Sequence, residues 1–157
     1  MAMPFSQFFR EQWQELPIIP PKETCSGATH IITGANTRLG LEAARQLTAI
    51  GASRVILAAR NLEPVVEVRP PDLNIHDSVK ASAKQATDRL DRIDALIENA
   101  GAAYDRYTLA EDHEASATIN VLSTFLLAVL LLPKLKESAK RFLSYHILSS
   151  SPAGPAG

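Results

Sequence analysis

Thr29-His30-Ile31-Ile32-Thr33-Gly34-Ala35-Asn36-Thr37-Arg38-Leu39-Gly40 is the stretch on which the fold turns. Its first part, Thr29 to Thr33, is short, rich in β-branched residues and broken by Gly34, as a buried strand would be. Beyond the glycines, Leu39, Ala43, Leu47 and Ile50 recur at helical spacing, and Gly51 supplies a C-terminal stop. A strand therefore passes through a glycine turn into a helix over Leu39–Ile50. Such a turn lets backbone amides approach a diphosphate, while the helix N-terminus offers partial positive charge. Two glycines by themselves also fit a strand end chosen for steric reasons alone.

Working outward, Arg54 to Ala59 reads as a second buried strand and Val65 to Val68 as a third. Asp77 and Ser78 offer helix caps ahead of Val79, Ala83, Ala86, Leu90 and Ile93 at helical spacing. Asp94 to Glu98 reads as a fourth strand. A long helix is expected from about Glu111 to Ala139, kinked or broken at Pro133, and a fifth strand from Phe142 to Leu148. Alternating strands and helices predict an α/β fold, a doubly wound parallel sheet covered on both faces. Residues 1–27 stand apart as an arm. Phe5, Phe8, Phe9 and Trp13 share one helical face, and Pro17, Pro20 and Pro21 close it. That arm either packs onto the main domain, residues 28–157, or offers a membrane-surface or partner-binding helix.

Composition narrows the function. Hydrophobic residues make up 46% and charged residues 21%, a globular balance, and a net charge of -1 provides no basic field for nucleic acid. Cys25 is the sole cysteine, so neither an intramolecular disulfide nor a cysteine zinc cage can form. His30, His76, His113 and His146 are dispersed without metal spacing, so no metal is expected. The longest apolar run, Phe125 to Leu132, falls short of the ~18 residues of a membrane span. With no secretory signal in view, a soluble, cytoplasmic protein is the expectation.

Five stretches then fall in a telling order: Thr33 to Gly40, Arg60-Asn61, Asp72-Leu73, Asn99-Ala100-Gly101 with Asn120 beyond it, and Ser149-Ser150-Ser151. In spacing and order they resemble the short-chain dehydrogenase/reductase family, over residues 29 to 151. The resemblance implies a nicotinamide dinucleotide bound by Gly34, Asn36, Arg38, Leu39 and Gly40, with Asp72 and Leu73 at the adenine ring. It places Asn99 and Gly101 beside the cofactor, where Asn99 steadies the sheet; Glu98 stands where a second Asn is often found. It makes Ser151, or in another alignment Ser150, the group that polarises a substrate carbonyl, and Asn120 the residue that orders a proton-relay water. Arg60 follows the second strand, where a carboxylate would select a free ribose hydroxyl. A guanidinium suits a 2′-phosphate, so NADP is expected over NAD, unless Arg60 merely caps the strand in solvent. The apolar helix 112–139 is expected to face the core and, by the resemblance, to provide a homodimer interface. The aromatic arm with its Thr-Gly-Ala-Asn turn is similar to dehydrogenases of fungal secondary metabolism.

Three departures temper the resemblance. Arg38 replaces the family's middle glycine. It either obstructs the diphosphate and strains a left-handed backbone, or points outward as added positive charge. Asn61 to Pro64 is too short to join adjacent parallel strands, which need roughly a dozen residues, so a helix is missing there and one sheet face is expected to lie bare. Finally, Tyr104, Tyr107 and Tyr145 are followed four residues on by Thr108, Glu111 and Ser149. The family's Tyr-x-x-x-Lys proton donor is thus absent. The expectation is an incomplete Rossmann domain, without its C-terminal part, from an NADP-dependent carbonyl or alcohol oxidoreductase that is impaired or inactive as it stands. A non-catalytic nucleotide-binding or interaction protein, or a truncated gene product, is the alternative.

Overall fold

The computed structural model describes residues 25–35, 38–58, 71–142 and 146–149; for Arg38, Phe142 and 146–149 it describes the backbone alone. The proposed arm, the 59–70 segment with the expected third strand and short connection, and the C-terminal tail lie outside these residues. Four strands form one parallel sheet: β1 (Thr29–Thr33), β2 (Arg54–Ala58), β3 (Ala95–Glu98) and, after a two-stranded hairpin, β6 (His146–Ser149), in the order β2-β1-β3-β6. Its register aligns Thr33 with Ala58 and Glu98, and Glu98 with Ser149, so all four carboxyl ends finish at one edge. The fold class is as expected: α/β, a partial Rossmann sheet with helices.

Helix α1 (Arg38–Ala49) follows β1, α2 (His76–Arg89) precedes β3, and α3 (115–142) precedes β6. Alternation along the strands sends Ile31, Ile56 and Leu96 to one face, where they pack with Val79, Ala83, Ala86 and Leu90 of α2 and Leu127, Leu131 and Leu135 of α3. On the other face Ile32 packs with Ala44 of α1, flanked by the half-buried Leu47, Val55, Leu57 and Ile97. The entry to the sheet is pinned by Asp94, whose Oδ2 accepts from Thr29 N at 2.8 Å and from Arg92 Nε at 2.6 Å.

Several boundaries differ from the sequence expectation, each for a local reason. The long helix does not start at Glu111. Glu111 and Asp112 have φ of 52° and 65°, outside the helical basin, and turn a hairpin between β4 (Leu109–Ala110) and β5 (His113–Glu114). Helix α3 begins at Ala115, capped by the Glu114 carboxylate, which accepts from Ala117 N at 2.8 Å. It continues through a π-helical stretch, Thr118–Ser123, into Thr124–Phe142. Pro133 neither ends nor breaks it, and lies on its exposed side. The helix also takes in Phe142, which had been expected to open the fifth strand. Asp77 and Ser78 lie inside α2 rather than at its cap, which is Ile75. By length and composition Ala115–Arg141 is also apolar enough to cross a membrane, although no single run predicts this; Leu127, Leu131 and Leu135 nonetheless lie in the core.

Candidate nucleotide site

The turn after β1 is built on close backbone approach. Gly34 has φ +65°, and a Cβ on it would stand 2.8 Å from Ala100 Cα and 3.0 Å from Ala100 N. A Cβ on Gly40 would stand 2.5 Å from Asn99 Nδ2 and 2.7 Å from the Gly34 carbonyl oxygen. Both glycines therefore exist to let β1, α1 and the end of β3 meet without side chains between them. Hydrogen bonds lock the junction. Asn99 Nδ2 donates to the carbonyls of Thr33 at 3.3 Å and Gly34 at 3.1 Å, Ala100 N donates to Thr33 Oγ1 at 3.1 Å, and Gly34 N donates to the Ala58 carbonyl at 2.8 Å. Asn99 thus steadies the turn by side-chain bonds across 66 residues of chain.

Arg38 opens α1 in a right-handed backbone, so the left-handed strain that its substitution for glycine threatened does not arise. No acidic residue lies in the first turn of α1, and Leu39 is 66% exposed there. The chemistry of the turn suits an anion: it joins a helix N-terminus, which carries partial positive charge, and the first turn of that helix holds no carboxylate. Gly101 is exposed just beyond the junction.

Asp72 and Leu73, expected at the adenine ring, sit on the turn before α2. Asp72 Oδ1 accepts from both Asn74 N and Asn74 Nδ2 at 3.0 Å, and Asp72 N donates to Ser78 Oγ at 2.9 Å. Leu73 is buried in the large core cluster, while its carbonyl accepts from Ser123 Oγ at 2.7 Å. Asn120 lies in the π-helical stretch and clamps Ala102 at both ends: its Nδ2 donates to the Ala102 carbonyl at 2.7 Å and its Oδ1 accepts from Ala102 N at 2.9 Å. Both ends of its side-chain amide are thus engaged by the Ala102 backbone. Asn36, Arg60, Ser150, Ser151 and the Arg38 side chain lie outside the described residues. The backbone of Ser149 pairs beside Glu98 at the sheet edge.

Ser123 went unread in the sequence, and Glu98 was read only as standing where a second Asn is often found. Ser123, fully buried, ties the Asn120 helix to the Asp72-Leu73 turn; its signal was a hydroxyl pair, Ser123-Thr124, in an apolar run. Glu98 is 4% exposed with Oε1 lacking any hydrogen-bond partner, and burial pushes its carboxyl up to about 7. Among the described residues no His, Cys, Asp or Glu group could hold a metal.

Comparison with known proteins agrees with this geometry. The family model described as short chain dehydrogenase matches residues 28–142. A short chain dehydrogenase/reductase of Cryptosporiopsis sp. is 41% identical over 159 residues, covering 90% of this chain and 47% of its own length. A short chain dehydrogenase of Emericella nidulans is 39% identical, covering 84% of this chain and 46% of its own. The chain thus spans about half the length of the curated relatives it matches. Among solved structures, a metagenomic short-chain oxidoreductase in complex with NADP is 26% identical with a TM-score of 0.64, over 80% of this chain and 62% of that one. An NADH-dependent reductase complexed with NAD shares the fold at a TM-score of 0.67 and 20% identity, over 82% of this chain and 61% of that one. The chain belongs to the short-chain dehydrogenase family.

Proposed function

We propose that this chain is the nucleotide-binding portion of an NADP-dependent oxidoreductase acting on a small-molecule carbonyl or alcohol. The observation that carries it is the Gly34–Gly40 turn, closed onto Asn99 by contacts that only hydrogen-for-side-chain replacement permits. In this reading Gly34, Leu39 and Gly40 frame the diphosphate, Asp72 and Leu73 form the adenine side, and Asn99 and Gly101 border the nicotinamide half. A bound nicotinamide supplies or accepts hydride. Asn120 positions the strand-end loop through Ala102, and Ser151 or Ser150 polarises the substrate oxygen. Arg60 is the reason for favouring NADP, through charge-assisted bonds to a 2′-phosphate. No tyrosine in these 157 residues has a lysine four residues on. A second reading is a nucleotide-binding protein without catalysis. Exposed Val121, Phe125 and Val129, spaced four apart on α3, support pairing of two copies along that helix. The resemblance of the arm and turn to fungal secondary-metabolism dehydrogenases suggests that setting for the substrate.

Calorimetric titration with NADPH and NADH tests the reading. NADPH is expected to bind more tightly, and Arg60→Asp to reverse the order; NADH preferred by the unaltered chain and unmoved by that substitution removes the NADP assignment. Hydride turnover by the bound chain separates the two readings.

A further inference from the structure

Glu111 holds a backbone conformation that a glutamate has no intrinsic reason to adopt. With Asp112 it forms a two-residue turn in which both φ values are positive, 52° and 65°, a geometry that favours Asn-Gly. The strands it joins are two residues each, too short to impose that conformation alone. What the turn achieves is reach. Glu111 Oε1 accepts from His76 N at 2.9 Å, and its Oε2 lies 3.9 Å from His76 Nδ1. His76 opens α2, whose cap residue, Ile75, has no side chain able to satisfy the first amides. Nearby Asp77 does not serve, for its Oδ1 pairs with Lys80 Nζ at 2.9 Å. Glu111, 35 residues away in sequence, is therefore the cap that the local sequence lacks.

The first turn of α2 in turn holds Asp72. Ile75 N donates to the Asp72 carbonyl at 3.1 Å, and Ser78 Oγ accepts from Asp72 N. We infer that Glu111 is a positioning residue for the adenine side of the nucleotide site, fixing the Asp72–Ile75 turn through the start of α2. The hairpin ahead of α3 and the adenine-side turn then form one unit, with Ser123 as its second tie through the Leu73 carbonyl. This inference rests on the nucleotide-binding reading above.

The test uses the full chain, titrated calorimetrically with NADPH and, as a probe of the glycine turn alone, inorganic pyrophosphate. Glu111→Asp keeps the charge and suits a left-handed turn better, yet is one methylene too short. It is expected to raise the Kd for NADPH roughly fivefold, as loss of a cap would, to leave pyrophosphate within about twofold by the same reasoning, and to speed amide exchange at His76. Glu111→Gln retains an acceptor for His76 N and is expected to restore both NADPH affinity and protection. NADPH affinity unchanged in Glu111→Asp, or NADPH and pyrophosphate weakened alike, overturns the positioning role and leaves the nucleotide reading intact. An unaltered chain that binds neither probe overturns both.

Discussion

On the α2/α3 face of the sheet, Ile31, Ile56 and Leu96 are sealed against Leu127, Leu131 and Leu135, whereas on the α1 face Val55, Leu57 and Ile97 remain half-buried. The first face carries the bulk of the buried apolar mass among the described residues. Among the described residues the second is covered by α1, which glycine and Asn99 hold close to the sheet. The contrast separates two jobs. Apolar burial stabilises the domain from one side, while the glycine turn on the other depends on close backbone approach and a few directed hydrogen bonds. Such bonds are modest in energy and strict in geometry.

The comparison breaks or holds on the cost of truncation. Leu131→Ala, at a side chain 1% exposed, is expected to lose about 3 kcal/mol by urea denaturation, and Leu47→Ala on the α1 face about 1 kcal/mol. Equal losses would show the two faces to be packed alike.

A second measurement sharpens it through charge. Glu98 shares the α2/α3 face with Leu96 by strand alternation, and its carboxyl titrates near 7 rather than at the ordinary 4.5. The folded state holds that proton more tightly than the unfolded one. Stability from this group is therefore complete below about pH 4.5, falls as pH rises toward 7, and is level above. The expected loss is up to about 3 kcal/mol, followed by denaturation at pH 4 to 8. Glu98→Gln is expected to flatten that slope; a variant with the unaltered profile would assign it to another group.

On the lighter face, Gly40→Ala forces its Cβ against Asn99 Nδ2 and the Gly34 carbonyl. About 1–2 kcal/mol of stability and at least tenfold in NADPH affinity are expected to go with it. An alanine variant with unaltered affinity would show that α1 can retreat from the turn. The smallest effect is expected at the outer side of α3. Val129→Ser, at 63% exposure, should change the monomer's stability by less than about 0.5 kcal/mol while weakening any pairing of two copies, as read by sedimentation.

Much of this architecture was legible in the residues. The strand at Thr29–Thr33 matches its expected bounds, and α1, β2 and β3 fall within a residue of theirs, because their hydrophobic periodicity and bounding glycines are local signals. Gly34, Gly40 and Asn99 were named from their order along the chain, and the structure brings them into one junction. The start of α3 was misread because Glu111 and Glu114 suit a helix by propensity; their hairpin is dictated by partners on α2 and on Ala110, whose carbonyl accepts from Thr118 Oγ1 at 2.8 Å.

The sequence by itself determined the α/β class, the glycine turn and the family, since these depend on the periodicity and spacing of residues that speak for their own neighbourhoods. Tertiary structure alone decided that Arg38 sits in a helical backbone, that Asn120 uses its amide on Ala102, and that Glu98 is buried without a hydrogen-bond partner at Oε1. It also decided that α2 takes its cap from Glu111. The physical reason is common to all four. Burial, close approach and hydrogen-bond pairing are relations between segments far apart in the chain, and they acquire values only when packing brings those segments together.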